Sequence, residues 1–395
     1  MRKILIGLCL MLCLGVLIHV DLRRVYEKGE IVLRPDPGYG VLTDWGDLFS
    51  DTSKGIAVAK DGSVFVVDPA GHRVLKFDGN GHVKKTFGQE GQKDGELFFP
   101  SSISILNGKD VIVADLAFNR KFTIFDLELN FKRVVRTEKP IYLLVPLIDG
   151  KVAYLSQERI YSRDRDETYR KVTVYIKDIK SGEEVEATSY LVPDSSFIKI
   201  KKYKISIYAY YKGDVFIERS KAGDLLVGLS TSPEIGIYSA EDGSKTGSIN
   251  LAMKPKPTTQ KFIKTFQKKQ VEKLSKRKAW PDFKKEFKEK ISVPEFFFDE
   301  HLPYYRKMIV DDEGNLLIFL EDSSFNNSKA EFRVYSPEGK YKCTSSLKIR
   351  EYKLDMRSLR WFTKLIFSTN GIFAILHKGK GERKDVRLIK VKENL

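Results

Sequence analysis

Histidines are the side chains that most often bind zinc or transfer protons in enzymes, and the 395-residue chain has five of them. His19 lies in an apolar N-terminal stretch, while His72, His82, His301 and His377 are scattered through the body. No two of them stand in H-x-x-x-H or H-E-x-x-H spacing, which excludes a zinc site formed within one helix. We expect structural roles for the four histidines of the body.

Two aspartates recur at a fixed offset and could bind a metal ion. Asp68 and Asp115 each end an apolar, strand-like run, and carboxylates at strand ends suit calcium. However, Arg73 and Arg120 follow them at the same distance in the chain. Because a half-buried carboxylate needs a charged or donor partner, we predict two structural ion pairs instead. The chain also lacks the G-x-S-x-G and G-x-x-x-x-G-K-[ST] motifs of hydrolases and nucleotide-binding proteins.

The composition is that of a globular protein with an excess of positive charge. Apolar residues make up 42% and aromatic residues 12%, which excludes a disordered chain. The net charge is +16. Of three cysteines, Cys9 and Cys13 precede the body and leave only Cys343, predicted to be a packed residue. A disulfide framework and a cysteine-rich zinc site are therefore excluded.

The N-terminus has the order of a secretory signal. Two basic residues precede an uncharged run over residues 4–20, which is long for a signal peptide and short for a membrane span. No small-x-small cleavage site follows, so an uncleaved signal anchor is favoured over a cleaved peptide. Lipidation is disfavoured because Leu8 and Leu12 stand where a small residue is needed. We predict a signal peptide or anchor over residues 1–25 and a periplasmic or extracellular body, anchored through residues 4–20.

The body begins with two copies of one repeat, over residues 55–78 and 102–126. Apolar residues alternate in each copy and are interrupted by a glycine-containing turn, as in half-buried strands joined by hairpins. The repeats resemble the NHL repeat, a family of β-propeller blades. The resemblance implies structural roles for the positions that match its motif: Asp68, His72, Arg73, Asp115, Asn119 and Arg120.

Six hairpin turns predict an all-β, six-bladed β-propeller with NHL-like blades over residues 30–395. The turns are Asp61-Gly62, Asn107-Gly108, Asp149-Gly150, Ala222-Gly223-Asp224, Glu313-Gly314-Asn315 and Asn370-Gly371. No fourth strand follows residue 391, so we expect the segment 30–45 to complete the last blade and close the ring.

Residues 254–300 interrupt the strand pattern. Residues 254–290 contain 14 Lys+Arg and four Asp+Glu. Apolar residues recur there every three or four positions, which predicts a basic helical hairpin inserted between the fourth and fifth blades. This organisation is similar to that of six-bladed propeller proteins of bacterial envelopes, a resemblance that implies a fold but no reaction.

The insertion provides the predicted binding residues. Lys268, Lys269, Arg277 and Lys278 are expected to make electrostatic contacts, and Trp280, Phe297, Tyr304 and Tyr305 to act as aromatic anchors. A hairpin merely packed on the propeller, an anionic membrane surface, an acidic protein and an anionic glycan remain open. Nucleic acid is disfavoured because export separates the domain from RNA.

These observations predict a non-catalytic, extracytoplasmic binding or scaffold module that recognises an envelope protein, a glycan or an anionic surface. No cofactor is predicted. The alternative is a calcium- or zinc-dependent hydrolase or lyase with its site in the central channel. Such an enzyme needs metal ligands contributed by several blades. A purely structural envelope component is a third option.

Overall fold

The computed structural model describes residues 20–40, 55–116, 119–164, 167–200, 203–208, 211–275, 298–321, 329–349, 365–378 and 385–392. Within these ranges the chain is mainly β-strand, with two helices, α1 (Leu22–Glu27) and α2 (Gln260–Ser275). A short strand, β1 (Ile31–Pro35), follows α1. The remaining strands form the sheets of a β-propeller, which confirms the predicted fold class at this level.

The first two sheets contain the two sequence repeats. Phe65 and Val67 of the first sheet pack with Val111 and Val113 of the second, and all four are fully buried. Burying such a side chain contributes about 1.5–3 kcal/mol to stability. The strands of the first sheet are β2 (Gly55–Val58), β3 (Val64–Asp68), β4 (Arg73–Phe77) and β5 (Val83–Phe87); those of the second are β6 (Pro100–Leu106), β7 (Asp110–Asp115), β8 (Lys121–Asp126) and β9 (Phe131–Arg136).

The third and fourth sheets continue the ring with the same meander. The third is enlarged because its middle strands extend well beyond the usual blade length. Its strands are β10 (Leu143–Pro146), β11 (Lys151–Ser162), β12 (Glu167–Asp178), β13 (Glu184–Ile200) and β14 (Tyr203–Tyr208). The fourth sheet consists of β15 (Val215–Arg219), β16 (Leu225–Leu229), β17 (Glu234–Tyr238) and β18 (Lys245–Asn250).

The rest of the described chain forms one large sheet and one short ladder. The ladder pairs β19 (Lys256–Pro257) with β20 (His301–Leu302). The large sheet has eight strands in the order β21-β22-β23-β24-β1-β27-β26-β25. Its strands besides β1 are β21 (Tyr305–Val310), β22 (Leu316–Leu320), β23 (Lys329–Tyr335), β24 (Tyr341–Ile349), β25 (Leu365–Ser368), β26 (Gly371–Lys378) and β27 (Asp385–Lys392).

The prediction of six blades is therefore wrong: the described strands form five blades. Strand β1 is the reason, because it joins two strand groups that the sequence separates. Ile31 aligns with Leu347 in a parallel pairing with β24, while Arg34 aligns with Lys392 in an antiparallel pairing with β27. The segment 30–45 was expected to complete the last blade only. Its strand β1 also pairs with β24 and so joins the last two strand groups into one sheet.

All six predicted turns do connect antiparallel strands. They join β2 to β3, β6 to β7, β10 to β11, β15 to β16, β21 to β22 and β25 to β26. At Asn107-Gly108 both residues have positive φ, 53° and 68°, a backbone that Asn and Gly adopt most easily. The predicted number of blades was too high because each hairpin was assigned to a separate sheet.

Helix α1 belongs to the propeller core. Asp21 caps its first turn by accepting from the backbone N–H of Arg24 at 3.3 Å. Leu22 and Val25 are buried against the eight-stranded sheet, and the Tyr26 hydroxyl donates to Asp311 at 2.8 Å. Leu22 and Val25, which the prediction assigned to the signal or anchor segment 1–25, consequently pack with the propeller.

The predicted anchor, residues 4–20, lies outside the described residues except for Val20. Among the helices in the described ranges, none is long and apolar enough to cross a membrane. The anchor therefore stays a prediction.

Candidate binding surface and central cavity

The basic insertion begins at a point firmly tied to the propeller. Strands β19 and β20 bring its two ends together, and the backbone N–H of Thr258 donates to the Glu300 carbonyl at 2.8 Å. The Thr259 hydroxyl then accepts from the backbone N–H of Phe262 at 3.2 Å. Threonine in this position satisfies a donor that the first helical turn leaves free. The start of α2 is therefore well defined.

An aromatic cluster holds one face of α2 against the propeller. Phe262 and Phe266 of the helix contact Phe298 edge-on, with ring centroids 5.6 and 5.0 Å apart. Tyr211 stacks on Phe298 at 5.7 Å. Nearby, the Lys212 ammonium lies 2.6 Å from Asp299. Such aromatic contacts add to the energy of burial, so α2 has a preferred orientation.

The opposite side of α2 carries an exposed row of lysines. Lys261, Lys264 and Lys268 are all exposed, and their spacing of three and four residues places them on one helix face. None of the three forms an ion pair within the described part of the chain. We call these three residues the lysine face. It presents three exposed ammonium groups in a row along one side of the helix.

The predicted binding residues are only partly described. Lys268 belongs to the lysine face, and Lys269 beside it is exposed. Arg277, Lys278, Trp280 and Phe297 lie outside the described residues, as does the predicted second helix of the hairpin. The sequence analysis missed Lys261 and Lys264, although their position opposite Phe262 and Phe266 on a helical wheel was a usable signal.

Both tyrosines that were predicted as surface anchors are partly or completely buried. Tyr305 is completely buried in the core shared by the fourth and fifth sheets, with its ring 5.8 Å from that of Phe216. It cannot act as a surface anchor, and that prediction is wrong. Tyr304 is half-buried against the same core. Both side chains are drawn inward because the start of β21 packs in an apolar core.

The two repeat aspartates use different partners. Arg73 donates to buried Asp68 at 3.1 Å and closes the loop between β3 and β4. Asp115 instead accepts from the Asn119 amide and from the backbone N–H groups of Phe98 and Phe99. The ion pair predicted between Asp115 and Arg120 is therefore absent. Arg120 points away and donates to the Glu138 carbonyl at 3.0 Å.

His72 and His82, which lie beside the strands of the first sheet, each make a polar contact with a neighbouring residue. The His72 ring hydrogen-bonds through Nδ1 to the Phe98 carbonyl, linking the first blade to the connector before the second. His82 lies 3.4 Å from Asp78. In the described ranges, no three His, Cys, Asp or Glu side chains are grouped closely enough to hold a metal ion.

A cavity of about 230 Å³ lies where the inner strands β2, β6, β10, β15, β21 and β25 converge. Its walls are mainly aliphatic, but Glu218, Lys307 and Asp312 also border it. Burial raises the pKa of Glu218 to about 7 and lowers the pKa of Lys307. Both residues interrupt apolar strand patterns in the sequence, a signal that the sequence analysis did not use.

Comparison with known proteins gives partial likenesses only. No family model matches the chain. It is 30% identical to Protein brain tumor of Drosophila melanogaster over 80 residues, which are 20% of this chain and 8% of that protein. It is 34% identical to the human E3 ubiquitin-protein ligase NHLRC1 over 92 residues, 23% of this chain and 22% of that protein. The chain thus spans under a quarter of either relative, and NHL membership stays a prediction.

Several solved structures are similar at low identity. A DUF4221-family protein from Bacteroides vulgatus is 10% identical with a TM-score of 0.48, over 88% of this chain and 95% of that one. A Bacteroides fragilis protein described as exported is 11% identical with a TM-score of 0.47, over 93% and 99%. Virginiamycin B lyase from Staphylococcus aureus is 10% identical with a TM-score of 0.38, over 87% and 86%. Likeness at this level carries no functional argument.

Proposed function

We propose that this β-propeller is an extracytoplasmic binding module that attaches to an anionic surface through the lysine face of α2. The observation that carries the proposal is the opposition of two helix faces. Phe262 and Phe266 are buried against the propeller, so Lys261, Lys264 and Lys268 are directed outward. A rigid scaffold presenting a row of charges avoids the entropic cost of ordering a flexible segment on binding.

An anionic membrane is the partner that we favour over an acidic protein or a glycan. The apolar segment predicted to anchor the chain would keep the propeller near a membrane. Each lysine near an anionic lipid surface contributes about 1 kcal/mol to attraction. The chain's net charge of +16 acts in the same direction over longer distances.

Vesicle cosedimentation tests this proposal. A chain starting at residue 20 keeps α1 and removes the apolar segment, so binding reports on the propeller alone. We expect it to bind phosphatidylcholine vesicles that contain phosphatidylserine, to ignore pure phosphatidylcholine, and to dissociate as salt rises, because salt screens exposed charges. Equal binding to both vesicle types, or binding only to a sulfated glycan, would contradict the membrane proposal.

A further inference from the structure

The central cavity has the character of a small-molecule site. Five sheets contribute inner strands to its wall, and most of the lining is aliphatic. Ile56, Ile103, Leu143 and Ile217 illustrate this, each from a different strand. Protein pockets for small ligands typically combine apolar walls with a few polar groups. The cavity matches that description, and none of its lining residues belongs to α2.

Lys307 is the unusual group in this wall. Its side chain is only 3% exposed and borders the cavity. The ammonium lies 5.8 Å from the ring centroid of Phe216, and it makes no hydrogen bond or ion pair with any described residue. An ammonium group out of bulk water is costly unless something accepts its hydrogens. The cavity is the space from which an acceptor can reach it.

The acidic groups around Lys307 differ in how well they are satisfied. Asp312 accepts from the Ser368 hydroxyl at 2.6 Å and from the Thr369 backbone at 3.0 Å. Asp214 lies 3.4 Å from Arg170. Among the described residues Glu218 forms no direct ion pair with Lys307, and the nearby backbone N–H of Val310 only partly offsets the rise of its pKa. Of the charged residues that line the cavity, Lys307 and Glu218 therefore keep bonding capacity for a ligand.

We propose that the central cavity binds a small organic acid with one carboxylate and an apolar body. The carboxylate accepts from the Lys307 ammonium, and protonated Glu218 donates a second hydrogen bond. The aliphatic strand residues cover the rest of the ligand. A phosphate ester fits poorly, because its second negative charge would face Asp312 and Glu218 with a single lysine to balance it.

This arrangement couples binding to a proton. The charged groups that share the cavity wall with Glu218 are Lys307 and Asp312, and Asp214, which is paired with Arg170, also acts on Lys307. In the free protein the pKa of Glu218 is about 7, and a bound carboxylate raises it further by repulsion. Glu218 then takes up a proton on binding, so affinity falls as pH rises above about 7.

Isothermal titration calorimetry on the full chain tests the proposal with straight-chain acids from acetate to hexanoate. We expect affinity to increase with chain length until the cavity is full, and hexanoate to bind at least about tenfold more tightly than hexanamide. Lys307→Met is expected to lose at least about tenfold in affinity. Glu218→Gln keeps a hydrogen-bond donor, so it should bind hexanoate and lose the pH dependence.

Three results would overturn the proposal: no acid binding at up to about 10 mM, equal affinity for hexanoate and hexanamide, or unchanged affinity in a folded Lys307→Met variant. If that variant does not fold, two measurements on the unmodified chain still test the proposal. They are the comparison of hexanoate with hexanamide and the pH dependence of hexanoate affinity. Because the lysine face takes no part, its loss should leave hexanoate binding unchanged, which separates this proposal from the surface-binding function.

Discussion

Lys307 and Glu218 border the same central cavity from neighbouring inner strands without forming a direct ion pair. Lys307 is only 3% exposed and Glu218 is half-buried, and burial moves the pKa of each toward its neutral form. The pair is not an efficient way to stabilise the fold, because a direct ion pair or two apolar side chains at these positions would give a more stable core. Both side chains border the cavity, where a ligand can contact them.

Glu218 makes the stability of the protein depend on pH. Burial raises its pKa from the ordinary value of about 4.5 to about 7, so the folded state binds more protons than the unfolded state within that interval. We expect the free energy of unfolding to fall by up to about 3 kcal/mol as pH rises from 4.5 to 7. Urea unfolding at a series of pH values measures this.

The matched control is Glu218→Gln, which has a similar shape and cannot titrate. Its stability should change less than that of the unmodified protein over the same pH range. Identical pH profiles for the two proteins would show that Glu218 does not carry the effect.

The two repeat arginines should differ in importance. Arg73→Ala removes an ion-pair partner of Asp68, whose side chain is 1% exposed, and should cost about 2–3 kcal/mol. Arg120→Ala removes one exposed contact to a carbonyl and should cost under about 1 kcal/mol. Chemical denaturation of both variants measures the difference. Equal costs would mean that the Asp68–Arg73 pair has no special role.

Helix α1 should be required for full stability. Tyr26→Phe removes the hydrogen bond to Asp311, whose pKa burial raises, and should cost about 1–2 kcal/mol. A chain that starts at residue 29 lacks the buried Leu22, Val25 and Tyr26 altogether and should melt well below one that starts at residue 20. Equal melting temperatures would place α1 outside the cooperative unit.

Metal removal distinguishes the binding module from a metal-dependent hydrolase or lyase. We expect the purified protein, dialysed against a weak chelator, to contain calcium and zinc far below one equivalent and to keep its melting temperature with EDTA. Elemental mass spectrometry and thermal melts measure this. Near-stoichiometric metal that survives dialysis would favour the enzyme, and esters, lactones and lyase substrates would be tested next.

The fold was predictable wherever the signal was local. Alternating apolar residues and turns such as Asn107-Gly108 located all six hairpins, because strand and turn preferences depend on neighbouring residues. The pairing of Ile31 with Leu347 has no such signal. It brings together residues from opposite ends of the chain, and it changed the number of blades.

The residues of the candidate sites were likewise predictable only where the signal was local. The helical spacing of the lysine face is readable from the sequence, although only Lys268 was identified. The meeting of Glu218 and Lys307 in one cavity depends on how separate sheets are arranged around the axis. Likewise, the repeat aligned Asp115 with Asp68 but did not reveal that Asn119, rather than Arg120, is its partner.

Reversing the charge of the lysine face tests whether α2 attaches the propeller to an anionic membrane. We would compare the vesicle affinity of Lys261→Glu/Lys264→Glu/Lys268→Glu with that of Lys60→Glu/Lys109→Glu/Lys221→Glu. The second set is an equal charge change at three exposed lysines in inner hairpin turns. The account predicts at least about a hundredfold loss for the lysine-face variant and a much smaller loss for the control. Equal losses would reduce binding to net charge, and no loss in either variant would contradict the proposed function.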